Sequence, residues 1–170
     1  MSRVVRSHEV KPQAWANGGG TTRELARADD GAWRISLAAI ERDGPFSTFA
    51  GRHRLLTVVD GPVLDLHVDG EAHLVEPQRP FAFSGDATVV ATVPEGPVQA
   101  LNVIVDPAVV QPFVTVLELN RGSALPLAAD QAAYVVTGQD AGTLVVGPGE
   151  VAGRCTVAVV TLEVATPARA

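Results

Sequence analysis

The stretch Leu64-Asp65-Leu66-His67-Val68-Asp69-Gly70-Glu71-Ala72-His73-Leu74-Val75 decides the fold class. Two short runs with recurrent Leu and Val flank an Asp-Gly pair, the dipeptide that favours a type I′ hairpin because both of its positions accept positive φ. A two-residue loop also fixes the register: Val68 faces Glu71, His67 faces Ala72 and Leu66 faces His73. Side chains alternate across a strand. His73 therefore shares a face with Leu64, Leu66 and Val75, whereas His67 shares the other with Asp65 and Leu74. The two histidines point to opposite sides of the sheet and do not hold one metal together. Each reads as a structural or solvated residue.

The same texture extends in both directions. Strands are expected over Thr22–Ala28, Trp33–Ala39, Arg54–Val59, Val63–Val68, Ala72–Val75, Thr88–Val93, Val98–Val105, Val114–Leu119, Ala132–Thr137, Gly142–Val146 and Thr156–Val164. Turn signals separate them: Asp29-Asp30-Gly31, Asp43-Gly44-Pro45, Asp60-Gly61-Pro62, Glu95-Gly96-Pro97 and Gly147-Pro148-Gly149. Many short, closely spaced strands predict an all-β antiparallel sandwich or barrel, not alternating βαβ units. No stretch of helical length keeps a 3.6-residue period free of Gly and Pro, so little helix is expected, and a mixed α+β domain is the competing class. No linker separates independent domains. The segment from Asp106-Pro107 to Pro112 is the best joint, dividing the chain into residues 1–110 and a shorter part, 111–170, that is poorer in charge and has no histidine. Any chemistry is expected in the first 105 residues.

Composition narrows the function. The 170 residues are 46% hydrophobic and 19% charged, with 19 acidic against 13 basic side chains and a net charge of -6. That length and apolar content support a core without a metal or disulfide staple. The acidic balance argues against a nucleic-acid partner, which needs clustered Lys and Arg, and gives no attraction to anionic membranes. Cys155 is the single cysteine, which excludes an internal disulfide and thiolate zinc sites. The charged start, Met1-Ser2-Arg3-Val4-Val5-Arg6, is unlike a signal peptide and no apolar run approaches a membrane span. A soluble, cytoplasmic protein is the expectation. Lys11 is the only lysine, leaving almost no candidate for Schiff-base or P-loop chemistry.

The segment Trp15-Ala16-Asn17-Gly18-Gly19-Gly20-Thr21-Thr22 is the oddest in the chain. Three glycines let a backbone approach a ligand closely, and successive amides there can form an anion nest; a plain turn beside a packed tryptophan is the alternative. Neither a Walker loop nor a dinucleotide fingerprint fits. In Trp33-Arg34-Ile35-Ser36-Leu37-Ala38, alternation puts Arg34, Ser36 and Ala38 on one face, either a wet exterior or the lining of a polar lumen. No serine lies in a nucleophile elbow. Cys155 sits in a strand-like run with no histidine near it, the setting of a buried inert thiol. Glu24, Glu41, Asp43 and Asp86 are candidate general acids or bases, with nothing in their spacing to select a pair.

The run Gly51-Arg52-His53-Arg54-Leu55-Leu56-Thr57-Val58-Val59-Asp60-Gly61 is similar to the first conserved motif of cupin barrels, in which a glutamate precedes a strand-ending glycine by seven residues. Gly61 holds the glycine position and Arg54 the glutamate position. The two histidine positions upstream fall among Ser47, Thr48, Phe49 and Ala50, none a histidine. A metal site of imidazoles and a carboxylate does not form from this motif, so neither a metal nor another cofactor is expected. An arginine there presents instead a fixed cation with a planar donor fork, suited to a carboxylate.

Longer words carry a more specific resemblance. Trp15-x-Asn17-Gly18-Gly19-Gly20-x-Thr22-x-Glu24, Trp33-Arg34-Ile35-Ser36-x-Ala38, Asp43-Gly44-Pro45-Phe46-Ser47-x-Phe49-x-Gly51, Pro80-Phe81-Ala82-Phe83-x-Gly85-Asp86, Gly96-Pro97-Val98 and Leu101-Asn102-Val103 occur in that order. Together they resemble the HutD/Ves family over residues 8–105; the remainder fits by its β pattern. The resemblance implies a bicupin, two cupin barrels in one chain, the N-terminal one with the better-formed pocket. It also implies a link to histidine utilisation and the binding of a small carboxylate such as formylglutamate, with a regulatory effect on flux. The chain departs from the family pattern at Ala100, where an acid is usual, at Ile104, where methionine is usual, and at Val105-Asp106-Pro107, which replaces a tail bearing two arginines.

The expected protein is therefore a metal-independent bicupin that binds a small anionic metabolite. Arg54 pairs the carboxylate and Arg34 adds a second positive contact. Asn17, Ser36, Asn102 and Thr22 are the polar candidates, and Gly18, Gly19 and Gly20 form a rim or lid. A metal-independent isomerase or lyase with Glu24 or another carboxylate as base is the alternative, and an interaction module with a vestigial pocket is a third. Unpaired sheet edges leave a homodimer open to the fold.

Overall fold

The computed structural model describes residues 3–167. Its strands are β1 (Arg3–Arg6), β2 (Gln13–Ala14), β3 (Gly20–Arg27), β4 (Trp33–Ile40), β5 (Gly44–Pro45), β6 (His53–Asp60), β7 (Leu64–Val68), β8 (Glu71–Val75) and β9 (Phe81–Ser84). They continue with β10 (Val89–Thr92), β11 (Val98–Val105), β12 (Val110–Leu119), β13 (Ala124–Leu127), β14 (Gln131–Thr137), β15 (Thr143–Val146), β16 (Gly149–Ala152) and β17 (Cys155–Val164). One 3-10 turn, Ser7–Glu9, accompanies them, and among the described residues no helix is long and apolar enough to cross a membrane.

All eleven expected strands are present, to within a few residues at their ends. The hairpin has the expected register, Val68 with Glu71, His67 with Ala72 and Leu66 with His73. Asp69 and Gly70 take φ values of 50° and 84°, the left-handed pair of a type I′ turn. Leu64, Leu66 and Val75 are buried and Leu74 is exposed, as alternation requires. His67 turns instead to Asp65 on its own face, Nε2 to Oδ2 at 3.4 Å. Six strands are additional to the expected set: β1, β2, β5, β9, β13 and β16. Three of them contain Pro or Gly, and all are four residues or fewer.

Four antiparallel sheets build two barrels. A six-stranded sheet in the order β2-β3-β4-β11-β6-β9 faces a four-stranded sheet, β5-β10-β7-β8. Ile40, Leu56, Val58 and Val98 of the first meet Leu64, Leu66, Val75 and Val89 of the second to form one core. A five-stranded sheet, β1-β15-β14-β17-β12, faces the β13-β16 ribbon around Val135, Val157, Leu127 and Val151. The two large sheets then pack back to back. Ile35, Leu37, Leu101 and Val103 from one and Tyr134, Leu144, Ala158 and Val160 from the other form a single inter-sheet core. This is the all-β bicupin architecture expected from the sequence. The central strands are buried on both faces, which is why their apolar residues run without strict alternation. The first strand does not stay with the residues that follow it: β1 pairs with β15, Arg3 opposite Val146 through Arg6 opposite Thr143.

Candidate functional site

Alternation on the six-stranded sheet sends Leu55, Leu101 and Ile35 to the inter-sheet core and their neighbours Arg54, Asn102 and Ser36 into the N-terminal barrel. Antiparallel register then orders the inward residues into rows. Arg34, Ile104 and Arg54 are neighbours across β4, β11 and β6; two residues along come Ser36, Asn102 and Leu56; after them Ala38, Ala100 and Val58. The lumen thus changes from cationic through polar to apolar along its length. The polar end is a cavity of about 460 Å³, lined by Gln13–Asn17, Thr22, Glu24, Arg34, Ser36, Ala38, Pro45–Ser47, Phe49, Arg54, Leu56 and Asn102. The Arg34/Ser36 face is the lumen lining, not the wet exterior that sequence left equally open.

Arg54 is the centre of this cavity. It is only 4% exposed. Its guanidinium carbon lies 5.3 Å, 4.9 Å and 4.8 Å from the ring centroids of Phe46, Phe49 and Phe83. Nη1 donates to the Ser47 carbonyl at 3.1 Å, whereas Nε is buried with no partner. Among the described residues no carboxylate lies within ion-pairing distance of it. Burial, aided by the charge of Arg34, brings its pKa down to about 10, so the cation is held where the protein itself does little to stabilise it. Arg34 is half-buried, stacks 4.9 Å from the Phe49 centroid, and likewise has an unpartnered buried Nε. Asn102, 7% exposed, turns an unpartnered Oδ1 into the same region, and Ser36 beside it is buried. Buried polar atoms in folded proteins are nearly always paired, and a charge without a counter-charge is the costliest exception.

The segment with three glycines has a different role from the expected rim or lid. Gly18, Gly19 and Gly20 do not line the cavity, and Gly19 and Gly20 are buried. A Cβ on Gly20 would collide with the Ala39 carbonyl and stand 3.2 Å from the Trp15 ring, so the glycine is needed for close backbone approach. Gly18 gives its carbonyl to Arg42 Nη2 at 2.6 Å. Asn17 lines the cavity with its polar atoms already engaged, Oδ1 accepting from the Gly19 amide at 2.9 Å and Nδ2 donating to the Pro45 carbonyl at 3.2 Å. The Thr22 hydroxyl accepts from Trp15 Nε1 at 2.8 Å. Together they fix the wall formed by Trp15, which meets Phe46 edge-on at 5.8 Å. Gly20→Ala is expected to lower stability by about 1–3 kcal/mol through overpacking; a denaturant melt that matches wild type would contradict this.

Phe46, Phe49, Phe83 and Ser47 are the site residues that sequence reasoning missed. Phe46 and Phe49 lie in one of the quoted words, but nothing local says they close over an arginine on another strand. His53 and Cys155 lie away from the cavity, and Tyr134 is in the inter-sheet core. Among the described residues no three His, Cys, Asp or Glu side chains converge as a metal ion requires.

A family model described as HutD matches residues 7–160. Over 116 residues the chain is 38% identical to a Pseudomonas putida protein described as an uncharacterized 21.2 kDa protein in hutC 3′ region, covering 62% of this chain and 58% of that one. Over 87 residues it is 39% identical to protein Ves of Citrobacter koseri, covering 48% of this chain and 46% of that one. The chain spans about half the length of the curated relatives it matches. Among solved structures, a conserved protein of unknown function from Pseudomonas aeruginosa PAO1 superposes with a TM-score of 0.82 at 26% identity, covering 96% of this chain and 99% of that one. HutD from Pseudomonas fluorescens SBW25 does so with a TM-score of 0.74 at 28% identity, covering 96% and 100%.

Proposed function

Because the chain belongs to the HutD family, we propose that its N-terminal barrel binds a small carboxylate metabolite of the formylglutamate type and, by holding it, regulates flux in histidine utilisation. The observation that carries this reading is Arg54: a buried guanidinium with an unpartnered Nε, no carboxylate within reach among the described residues, and a cavity beside it. A carboxylate placed there supplies both the missing charge and acceptors for the donor fork. Asn102 and Ser36 orient the rest of the molecule. The description of the Pseudomonas putida relative by its position in hutC 3′ region supports the pathway.

Binding is favoured over turnover by the composition of the site. Its single carboxylate is Glu24, which is exposed, and the lining contains neither histidine nor tyrosine. A proton-transfer enzyme needs an acid and a base within reach of the reacting atoms.

Titration calorimetry with N-formyl-L-glutamate tests the proposal. Wild type is expected to bind, and Arg54→Gln to lose about thirtyfold or more in affinity, the scale of removing one partner from a buried charge pair. Absence of heat and of any ligand-dependent melting shift in wild type would overturn the reading, as would an Arg54→Gln variant that binds equally well.

A further inference from the structure

Adjoining the first cavity at Phe49 is a second chamber of about 230 Å³. It shares Glu24, Arg34 and Phe49 with the first cavity and adds Arg27, Arg52 and Ile104, with Gly31 and Trp33 at its edge. Three of its residues are arginines. Arg27 and Arg34 stand directly opposite each other across β3 and β4, and like charges in that position are destabilising. Arg52 is anchored in the chamber by donating from Nη1 to the Gly31 carbonyl at 3.1 Å. Its backbone is fixed too: the Arg52 amide donates to Phe49 O at 3.0 Å, and the Arg52 carbonyl accepts from the Gly85 amide at 2.7 Å.

No carboxylate among the described residues forms an ion pair with this cluster. Among the described residues the only arginine in an ion pair is Arg79, on Glu76. Asp30, close in sequence, spends its Oδ1 on the Ala32 amide at 2.9 Å. Glu24 borders both chambers and lies within 4 Å of none of the three guanidiniums. The Nε of Arg34 is buried and unpartnered.

Phe49 relates the two chambers. The guanidinium carbons of Arg34 and Arg54 each lie 4.9 Å from its centroid, so they stand within twice that distance of one another. A chain of a few methylenes with an anionic group at each end fits such a span, its apolar middle lying along the ring.

We propose that Arg27, Arg34 and Arg52 form a second anion subsite, and that the ligand class is a short-chain dicarboxylate with one carboxylate on Arg54 and the other in the arginine chamber beyond Phe49. The proposal rests on the reading that the Arg54 cavity takes a carboxylate of the formylglutamate type, itself a dicarboxylate, and it assigns residues to the second carboxylate, which that reading leaves without any.

Glutarate and its monoamide, glutaramate, have nearly the same size and differ by one charge. Calorimetry on the full chain is expected to show wild type binding glutarate about tenfold or more tightly than glutaramate, the scale of one charge-assisted hydrogen bond. Arg27→Gln/Arg52→Gln is expected to cost glutarate about tenfold or more and glutaramate clearly less, closing the gap between the two. Arg27→Gln alone, at an exposed position that folding tolerates, is expected to remove part of the preference. Equal wild-type affinities, or a preference that survives in both variants, overturn the second subsite. If Arg54→Gln still abolishes binding in that case, the single-carboxylate cavity stands. Failure of wild type to bind either compound overturns both.

Discussion

Replacing Arg54 with methionine is expected to raise the melting temperature of the free protein while removing its response to carboxylates. The guanidinium has lost most of its hydration, has among the described residues one hydrogen bond, to a main-chain carbonyl, and no counter-charge, and is repelled by Arg34. Three phenylalanine rings offset part of that loss. Methionine is of similar length, keeps contact with the rings and carries no charge to desolvate. Exchanging buried charge for a hydrophobic side chain of similar volume commonly stabilises by about 1–4 kcal/mol, and about 1–2 kcal/mol here corresponds to roughly 2–8 °C for a chain of this size.

The pH dependence follows from the lowered pKa. Below about 10 the arginine is protonated whether folded or unfolded, so the whole penalty is present. As pH rises through about 10 the folded protein releases this proton while the unfolded chain retains it, and the stability contributed by this group rises. The advantage of Arg54→Met over wild type is therefore expected to be flat from roughly pH 6 to 9 and to shrink above about 10. A variant less stable than wild type at neutral pH would show that the aromatic cage, and not a ligand, satisfies this cation. Natural proteins often retain such a destabilising group where function needs it.

Leu144→Ala, in the second half of the chain, is expected to unfold both halves at a lower denaturant concentration. Leu144 is fully buried and packs in the core that Ile35, Leu37, Leu101 and Val103 share from the first half. Loss of its side chain costs about 2–5 kcal/mol, the transfer and cavity terms together. Trp15 and Trp33 both lie in the first half, and Trp33 borders the shared core. Fluorescence therefore reports on the half that does not carry the substitution. Fluorescence and circular dichroism are expected to shift together in one transition. An unmoved fluorescence midpoint would mean that the halves fold independently.

The parts of the fold legible in the sequence are those governed by local rules. The Asp69-Gly70 turn sets its own register because only two residues connect the strands, and the structure has that register. Long central strands such as β6 and β11 announce themselves because burial on both faces demands continuous Val, Leu and Ile. Gly44–Pro45 and Gly149–Ala152 were unreadable for the opposite reason: a two- or four-residue strand containing Gly or Pro exists only because a distant partner supplies its hydrogen bonds. The same division holds at the site. Arg54 could be singled out by its place in a motif, since a cation at a metal-ligand position is a chemical contradiction visible in one dimension. Whether Arg34 and Ser36 face water or a lumen could not, because alternation gives two faces and only the covering sheet decides which is enclosed. Gly18–Gly20 misled because a glycine needed for packing against Ala39 and Trp15 looks the same in sequence as one needed for a ligand.

The pairing of Arg3–Arg6 with Thr143–Val146 has a consequence for biosynthesis. During translation β1 emerges long before its partner, and contacts so distant in sequence form slowly. Until then it is an orphan strand bearing Val4 and Val5, a template for association with other nascent chains. It follows that a gene cut between the halves leaves the downstream product one strand short, and that co-expressing the severed upstream piece would restore it by complementation.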